Sequence, residues 1–155
     1  MSEAITFAIS KFEEIRTLCI DALNKSDGEL GETHDRLTNM FVKQEALMKR
    51  YAERDSEFPK WPIDVTNKKS QKFVRDQLVN AADELFEATR ELKNYKQHRE
   101  TNITTFDKNS FLEECIDAQK FLFEALILMG ITPDEFAQMY SVKDLVCHDR
   151  LDKKY

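Results

Sequence analysis

Two short acidic motifs in the sequence have the spacing of metal ligands. Glu84 and Glu87 are three residues apart, and Glu114 and Asp117 repeat that spacing further along the chain. Residues three apart share one face of a helix. Four carboxylates on two neighbouring helices would form an all-oxygen site, which suits Mg²⁺ or Mn²⁺ better than Zn²⁺. The alternative interpretation is a solvated acidic helix surface, and the spacing alone leaves both open.

The residues that follow the second motif favour the metal interpretation. This motif lies in the segment FLEECIDAQKFLFEALILMG, residues 111–130, which is apolar nearly all round beyond Asp117. A helix of that kind is expected to be buried. Unpaired carboxylates entering a buried face would carry a desolvation cost of the order of several kcal/mol per ion. A divalent cation would remove that cost.

The elements that must position these acids are predicted to be helices. Apolar residues at helical spacing predict helices over about residues 3–24, 34–54, 68–97 and 110–129. Ser2 is a candidate N-cap for the first helix, and Gly130 suits the position after the fourth. A fifth helix should begin at a T-x-x-E capping box, Thr132 to Glu135, with Pro133 in its first turn. The predicted fold is an all-α bundle of about five helices, forming a single domain over residues 1–155.

Composition and charge narrow the class of protein. Charged residues are 34% of the 155, with only three Gly and three Pro, and the net charge is −6. An acidic chain without basic blocks is not expected to bind nucleic acid broadly. Three cysteines without C-x-x-C spacing predict free thiols in a reducing compartment. No signal peptide and no apolar run long enough to span a membrane are evident, so we expect a cytoplasmic protein with no membrane partner.

The acidic motifs resemble those of a known family, the all-α nucleoside triphosphate pyrophosphohydrolases. This family includes MazG-like proteins, dimeric dUTPases and bacteriophage dCTP/dUTP pyrophosphatases. Its pattern is E-E-x-x-E, a spacer, then E-x-x-D. Here the pattern is D-E-L-F-E (Asp83 to Glu87), 26 intervening residues, then E-C-I-D (Glu114 to Asp117). Asp83 replaces the family's first Glu conservatively.

Two further segments resemble the same family. The phage and dimeric dUTPase branch ends in a pattern similar to Y-x-x-K-N-x-x-N-x-x-R-Q-x-x-G-Y. This chain ends YSVKDLVCHDRLDKKY, where Tyr140, Lys143, Arg150 and Tyr155 fall at matching positions. The segment FVKQEALMKRY resembles the family's first active-site helix, with Gln44 at the glutamine that recognises the base. The resemblance covers roughly residues 37–155.

The resemblance implies an enzyme that hydrolyses a (deoxy)nucleoside triphosphate, dUTP or dCTP by default, to the monophosphate and pyrophosphate. It implies a MazG-like or dimeric dUTPase-like fold, a homodimer, and a phage-encoded protein acting in the host cytoplasm as one possible source. Glu84, Glu87, Glu114 and Asp117 would hold Mg²⁺ or Mn²⁺, and Glu84 or Glu87 would also orient or deprotonate the attacking water. The implied substrate-binding residues are Gln44, Met48, Trp61, Lys120, Lys143, Arg150 and Tyr155.

The positions that depart from the family pattern lie where the base and sugar would bind. Met48 replaces an Asn that helps to recognise uracil, Lys120 replaces a His, and Glu124 replaces an Asn. The metal chemistry is therefore expected to be retained, while another or a modified deoxynucleotide is an alternative substrate.

Structural roles remain alternatives for individual residues. Gln44 could be a hydrogen-bonded amide of the core, and Trp61 could fill space in the bundle. Lys143 and Arg150 could simply be solvated. A non-catalytic helical interaction module is the alternative for the whole chain. A di-iron bundle is disfavoured, because no E-x-x-H occurs on the acidic helices.

Overall fold

The computed structural model describes residues 36–96, 98 and 103–153. Within these ranges the chain forms four helices and no strand. They are α1 (Arg36–Arg54), α2 (Lys68–Glu91), α3 (Lys108–Leu128) and α4 (Pro133–Asp152). The predicted all-α class is confirmed for this part of the chain. Apart from Arg36, these helices lie in one compact unit that begins at Leu37.

Three sequence predictions depend on residues that the structure does not describe. The first predicted helix, over residues 3–24, and its Ser2 cap lie outside the described residues. The count of five helices and the single domain over residues 1–155 therefore stay predictions. Within the described residues, no helix combines the length and apolar character that a bilayer crossing requires.

Polar side chains cap the starts of three helices. The side chains of Asn67 and Asp107 accept backbone hydrogen bonds at the first turns of α2 and α3. Because Asp107 provides this cap, α3 begins at Lys108, two residues before the predicted start. At α4 the predicted capping box is confirmed: Thr132 Oγ1 accepts from the Glu135 N–H at 3.2 Å, and Glu135 Oε2 accepts from the Thr132 N–H at 2.9 Å.

The end of α2 differs from its sequence prediction. The helix stops at Glu91, six residues before the predicted end at 97. Beyond it, the Asn94 side chain makes two hydrogen bonds with the backbone of Ile103, at 2.8 and 3.0 Å. These bonds hold the chain that leaves α2 against the chain that approaches α3. The apolar spacing continues through this segment, but the chain leaves helical geometry at Leu92, which has a ψ of 72°.

A glycine ends α3, as predicted. Gly130 has a φ of +75°, which an L side chain rarely adopts. The Ile131 N–H donates to the Leu126 carbonyl at 3.0 Å, and the Gly130 N–H donates to the Ile127 carbonyl at 2.9 Å. This is the Schellman arrangement that satisfies the last carbonyls of a helix. A Cβ at this position would also lie 3.0 Å from the Cβ of Pro62, so the loop before α2 packs closely here.

The hydrophobic core is built from α1, α3 and the loop between α1 and α2. Its buried members are Phe41, Met48, Ile63, Phe123, Ile127 and Leu128. The rings of Phe41 and Phe123 lie 4.6 Å apart, centre to centre. The Ile63 N–H donates to the Leu128 carbonyl at 2.8 Å and joins the loop to the end of α3. This core fixes α1 against α3, which sets the position of Gln44 relative to the second acidic motif.

Two helices carry the acidic motifs, and they pack against each other. α2 carries Glu84 and Glu87, α3 carries Glu114 and Asp117, and the two helices are in direct contact. The predicted placement of the two motifs on neighbouring helices is therefore confirmed. α4 contributes Phe136 to the core, and its residues from Ala137 onward are exposed.

Candidate functional site

Three of the four predicted metal ligands form a cluster. Glu84 and Glu87 from α2 and Glu114 from α3 each place a carboxylate oxygen within 4.8 Å of the others. Helical spacing puts the first two on one face, and the packing of α3 on α2 brings in the third. Glu84 and Glu114 are half-buried, while Glu87 is exposed. We refer to these three residues as the carboxylate cluster.

The electrostatics of the carboxylate cluster favour a cation. Partial burial raises the pKa of Glu114, and the negative charges of Glu87 and Glu84 raise it further. The Arg90 guanidinium donates to Glu87 Oε1 at 3.2 Å. The other two carboxylates of the cluster, Glu84 and Glu114, have no cationic partner among the described ion pairs. Three carboxylate oxygens are hard ligands, so the donor set fits Mg²⁺ or Mn²⁺.

A cavity of about 260 Å³ adjoins the carboxylate cluster. It lies where α1, α2 and α3 meet. Its lining residues are Gln44, Leu47, Tyr51, Glu84, Asp117, Lys120, Phe121 and Glu124. Glu84 belongs both to this lining and to the carboxylate cluster. A cation held by the cluster would therefore lie at the edge of the cavity.

Asp117 lies in the cavity lining and outside the carboxylate cluster. It follows Glu114 by three residues on α3, so the two share a helix face. Its role as a fourth metal ligand stays a prediction, since the close set of oxygens comprises the three glutamates. Its carboxylate faces the same cavity as Glu84 and could contact a ligand or a metal there.

A buried polar pair lies in the cavity wall. Gln44 and Glu124 are 5% and 4% exposed, and Gln44 Nε2 donates to Glu124 Oε2 at 3.3 Å. Burial raises the pKa of Glu124, while the hydrogen bond from Gln44 and the charge of Lys120 lower it in part. The sequence hypothesis that Gln44 is a hydrogen-bonded amide and the hypothesis that it contacts a ligand are both compatible with this position.

Four cavity residues were not among the predicted site residues. They are Leu47, Tyr51, Phe121 and Glu124. For Glu124 the sequence carries two signals, because it replaces an Asn of the family pattern where the base and sugar would bind, and it is the one charged residue in the apolar run FLFEALILM. A charged side chain in such a run is almost never fully buried unless it has a partner. Asp117, Phe121 and Glu124 also recur at spacings of four and three, which places them on one face of α3.

Other predicted substrate-binding residues lie away from this cavity. Met48 is fully buried in the hydrophobic core, one turn from Gln44. Trp61 is half-buried, packs against the core, and donates from Nε1 to Glu45 Oε1 at 3.2 Å. Its ring meets that of Phe58 edge to face. Met48 and Trp61 therefore make core contacts in the structure, and their roles in substrate binding stay predictions.

The predicted tail residues fall on or beyond α4. Lys143 and Arg150 are exposed residues of this helix, and neither lines the cavity. Tyr155 lies outside the described residues. Lys120 alone, among the cations of the predicted substrate-binding set, lines the cavity.

A second hollow, of about 550 Å³, lies where α2 ends and α3 begins. Its lining includes Glu91, Lys93, Ile103, Phe106 and Asp107. The Asp107 carboxylate is engaged by the backbone N–H groups of the first turn of α3, as described above. This hollow is larger than the first, but no close set of carboxylates borders it in the described part of the chain.

Neither models of known protein families, nor curated proteins, nor solved structures give a match to this chain. What the geometry offers is a cluster able to hold a divalent cation beside a cavity with aromatic walls and a buried hydrogen-bonding pair.

Proposed function

We propose that the protein is a Mg²⁺- or Mn²⁺-dependent pyrophosphohydrolase of a nucleoside triphosphate, with dUTP or dCTP as the default substrate. The observation that supports this most is the position of Glu84, which belongs both to the carboxylate cluster and to the cavity lining. A triphosphate chelated by the metal would lie beside a cavity able to take its base. The resemblance of the two acidic motifs to the all-α pyrophosphohydrolases supports the same proposal.

Several residues of the chain would each have a separate role in this reaction. A bound Mg²⁺ would neutralise phosphate charge and acidify the attacking water. Glu84 or Glu87 would orient that water and accept its proton, as the anhydride between the α- and β-phosphates is cleaved. Lys120, exposed at the cavity, would contribute positive charge to the phosphates. The products would be the nucleoside monophosphate and pyrophosphate.

Lys143 and Arg150 would bind the triphosphate only if α4 approached the cluster. Arg offers a planar, bidentate contact to phosphate, which Lys does not. Their exposure on α4 leaves both side chains available for such a contact. We propose that this helix closes over the substrate, since its residues from Ala137 onward are exposed and closing segments often complete an active site around bound substrate.

The test is an assay of pyrophosphate release from dUTP, dCTP, dTTP, dATP and dGTP with Mg²⁺. We expect release from at least one pyrimidine nucleotide and its abolition by excess EDTA. Release that survives EDTA, or orthophosphate as the sole product, would refute the proposal.

Variants at the two motifs extend the test. A single carboxylate-to-amide change should remove most of the activity at any of Glu84, Glu87, Glu114 and Asp117. The losses should be far from additive, because the four carboxylates act together and the first change already disrupts the site. Glu113→Gln is the matched control, since it removes a charge from an exposed neighbour on α3. Full activity in Asp117→Asn would remove that residue from the unit.

A non-catalytic interaction module is the second candidate, and one observation favours it. Large apolar side chains of α4 are exposed, among them Tyr140 at 70%, Leu145 at 70% and Leu151 at 75%. Surfaces of this kind often mark protein interfaces. An interface with a second copy of this chain is also compatible with a pyrophosphohydrolase, so the exposed apolar residues do not exclude the first candidate. We propose a homodimer. A mass that stays monomeric at all concentrations by light scattering would refute the dimer.

A further inference from the structure

The buried pair in the cavity wall presents a fixed hydrogen-bond acceptor. Glu124 is 4% exposed, and its Oε2 is already engaged by Gln44 Nε2 at 3.3 Å. A carboxyl group so enclosed has little freedom to turn away from a ligand. Its second oxygen has capacity for another hydrogen bond. A ligand that donates a hydrogen bond to this oxygen gains both the bond and specificity.

The charges around the cavity select for a donor-rich ligand. Three carboxyl groups line it, Glu84, Asp117 and Glu124, against one cation, Lys120. Burial raises the pKa of Glu124, while the hydrogen bond from Gln44 and the charge of Lys120 act in the opposite direction and favour its ionised form. A carboxylate accepts hydrogen bonds and donates none. The ligand edge that meets Glu124 should therefore carry an N–H group rather than a carbonyl oxygen.

The size and walls of the cavity fit a single planar ring. Its volume of about 260 Å³ is slightly below the range of roughly 300–1,000 Å³ of complete small-molecule sites, so the rest of the ligand would extend out past Glu84. Leu47, Tyr51 and Phe121 supply apolar and aromatic walls. Aromatic side chains pack well on the faces of a base. The polar contact at Glu124 then meets the edge of that ring.

We propose that Glu124 is a specificity-determining residue, which selects an aminopyrimidine of the cytosine type over an oxopyrimidine of the uracil type. The inference rests on the proposed function, because it takes the ligand to be a nucleotide. An exocyclic amino group donates to a Glu side chain, which is the contact that glutamate makes to cytosine in other contexts. Uracil has a carbonyl oxygen in that position, which would face the carboxylate without a hydrogen bond between them.

The experiment measures binding, so that it does not depend on turnover. Non-hydrolysable α,β-imido analogues of dCTP and dUTP are titrated into the protein with Mg²⁺ by calorimetry. We expect the dCTP analogue to bind about tenfold more tightly or better, since one good base contact discriminates by that order. In Glu124→Gln, whose amide can both donate and accept, the ratio should fall to about threefold or less, within the reach of one altered hydrogen bond. Glu53→Gln, which removes an exposed charge from α1, should keep the parent ratio.

Each outcome decides the inference. Equal or tighter binding of the dUTP analogue by the parent overturns it, as does an unchanged ratio in a Glu124→Gln variant that keeps its helical circular dichroism. If that variant does not fold, the ratio measured for the parent decides. Binding of neither analogue overturns it as well. Preference for the dCTP analogue without pyrophosphate release would refute the proposed function and leave the recognition intact, whereas pyrophosphate release together with equal binding of the two analogues would do the reverse.

Discussion

Mg²⁺ should stabilise this protein against heat, and the loss of one cluster residue should reduce the effect by a predictable amount. A ligand that binds only the folded state stabilises it by RT ln(1 + [L]/Kd), which is about 2.7 kcal/mol when the ligand is present at about 100 times its Kd. For a chain of this size, 1 kcal/mol shifts the unfolding midpoint by about 2–4 °C. We therefore expect a rise of about 5–11 °C over the metal-free protein.

The perturbation is Glu84→Gln, which removes one of the three charges that converge within 4.8 Å. Even residues that only support metal ligands affect metal affinity by roughly 10–100-fold. At the same Mg²⁺ concentration, the stabilisation should fall to about 1.4 kcal/mol for a tenfold loss and about 0.4 kcal/mol for a hundredfold loss. The midpoint should then rise by less than about 6 °C.

The assay is thermal unfolding followed by circular dichroism at 222 nm, with EDTA-treated protein as the reference. Glu113→Gln is the control, because it removes a neighbouring exposed charge outside the carboxylate cluster. It should keep nearly the whole Mg²⁺ effect. An equal Mg²⁺ effect in the parent and Glu84→Gln, or no effect in either, would refute the assignment of the cluster as a metal site.

Three other predictions follow from the structure. Burial raises the pKa of Glu124, so the folded state holds that proton to a higher pH than the unfolded state does. Relative to Glu124→Gln, the parent protein should therefore lose stability as the pH rises above about 4.5, the ordinary pKa of a Glu carboxyl group. Unfolding midpoints measured at a series of pH values test this. Met48→Ala should lower the free energy of unfolding by about 2–5 kcal/mol in a urea titration, because the side chain is fully buried, whereas Met40→Ala on the exposed side of α1 should cost far less. Truncation before Arg150 should reduce turnover more than the unfolding midpoint, since residues 137–153 are exposed; normal turnover in the truncated protein would exclude a catalytic part for the tail.

Local sequence signals predicted much of the described fold. The capping box at Thr132 and the glycine at 130 act through contacts within a few residues, so the sequence alone locates the start of α4 and the end of α3. The predicted end of α2 was wrong: the chain leaves the helix at Leu92, and Asn94 instead bonds the backbone of Ile103, nine positions away. Helix periodicity contains no information about such a partner.

The candidate site was predicted best where residue spacing and helix packing coincide. Spacing alone put Glu84 and Glu87 on one face, and the contact between α2 and α3 brought Glu114 to them. On α1, Gln44 and Met48 share the buried stripe, and periodicity does not distinguish the core from a cavity lining. Only the packed structure shows that Met48 enters the core while Leu47 lines the cavity.

The shared position of Glu84 has a consequence for how binding should be measured. A cation at the carboxylate cluster and a ligand in the cavity would both interact with this one side chain, so their binding free energies are coupled. Coupling of this kind is reciprocal: the factor by which the nucleotide changes the metal affinity equals the factor by which the metal changes the nucleotide affinity. The metal and nucleotide affinities of the free and the liganded protein therefore form a thermodynamic cycle of four binding steps, in which any three measured steps fix the fourth.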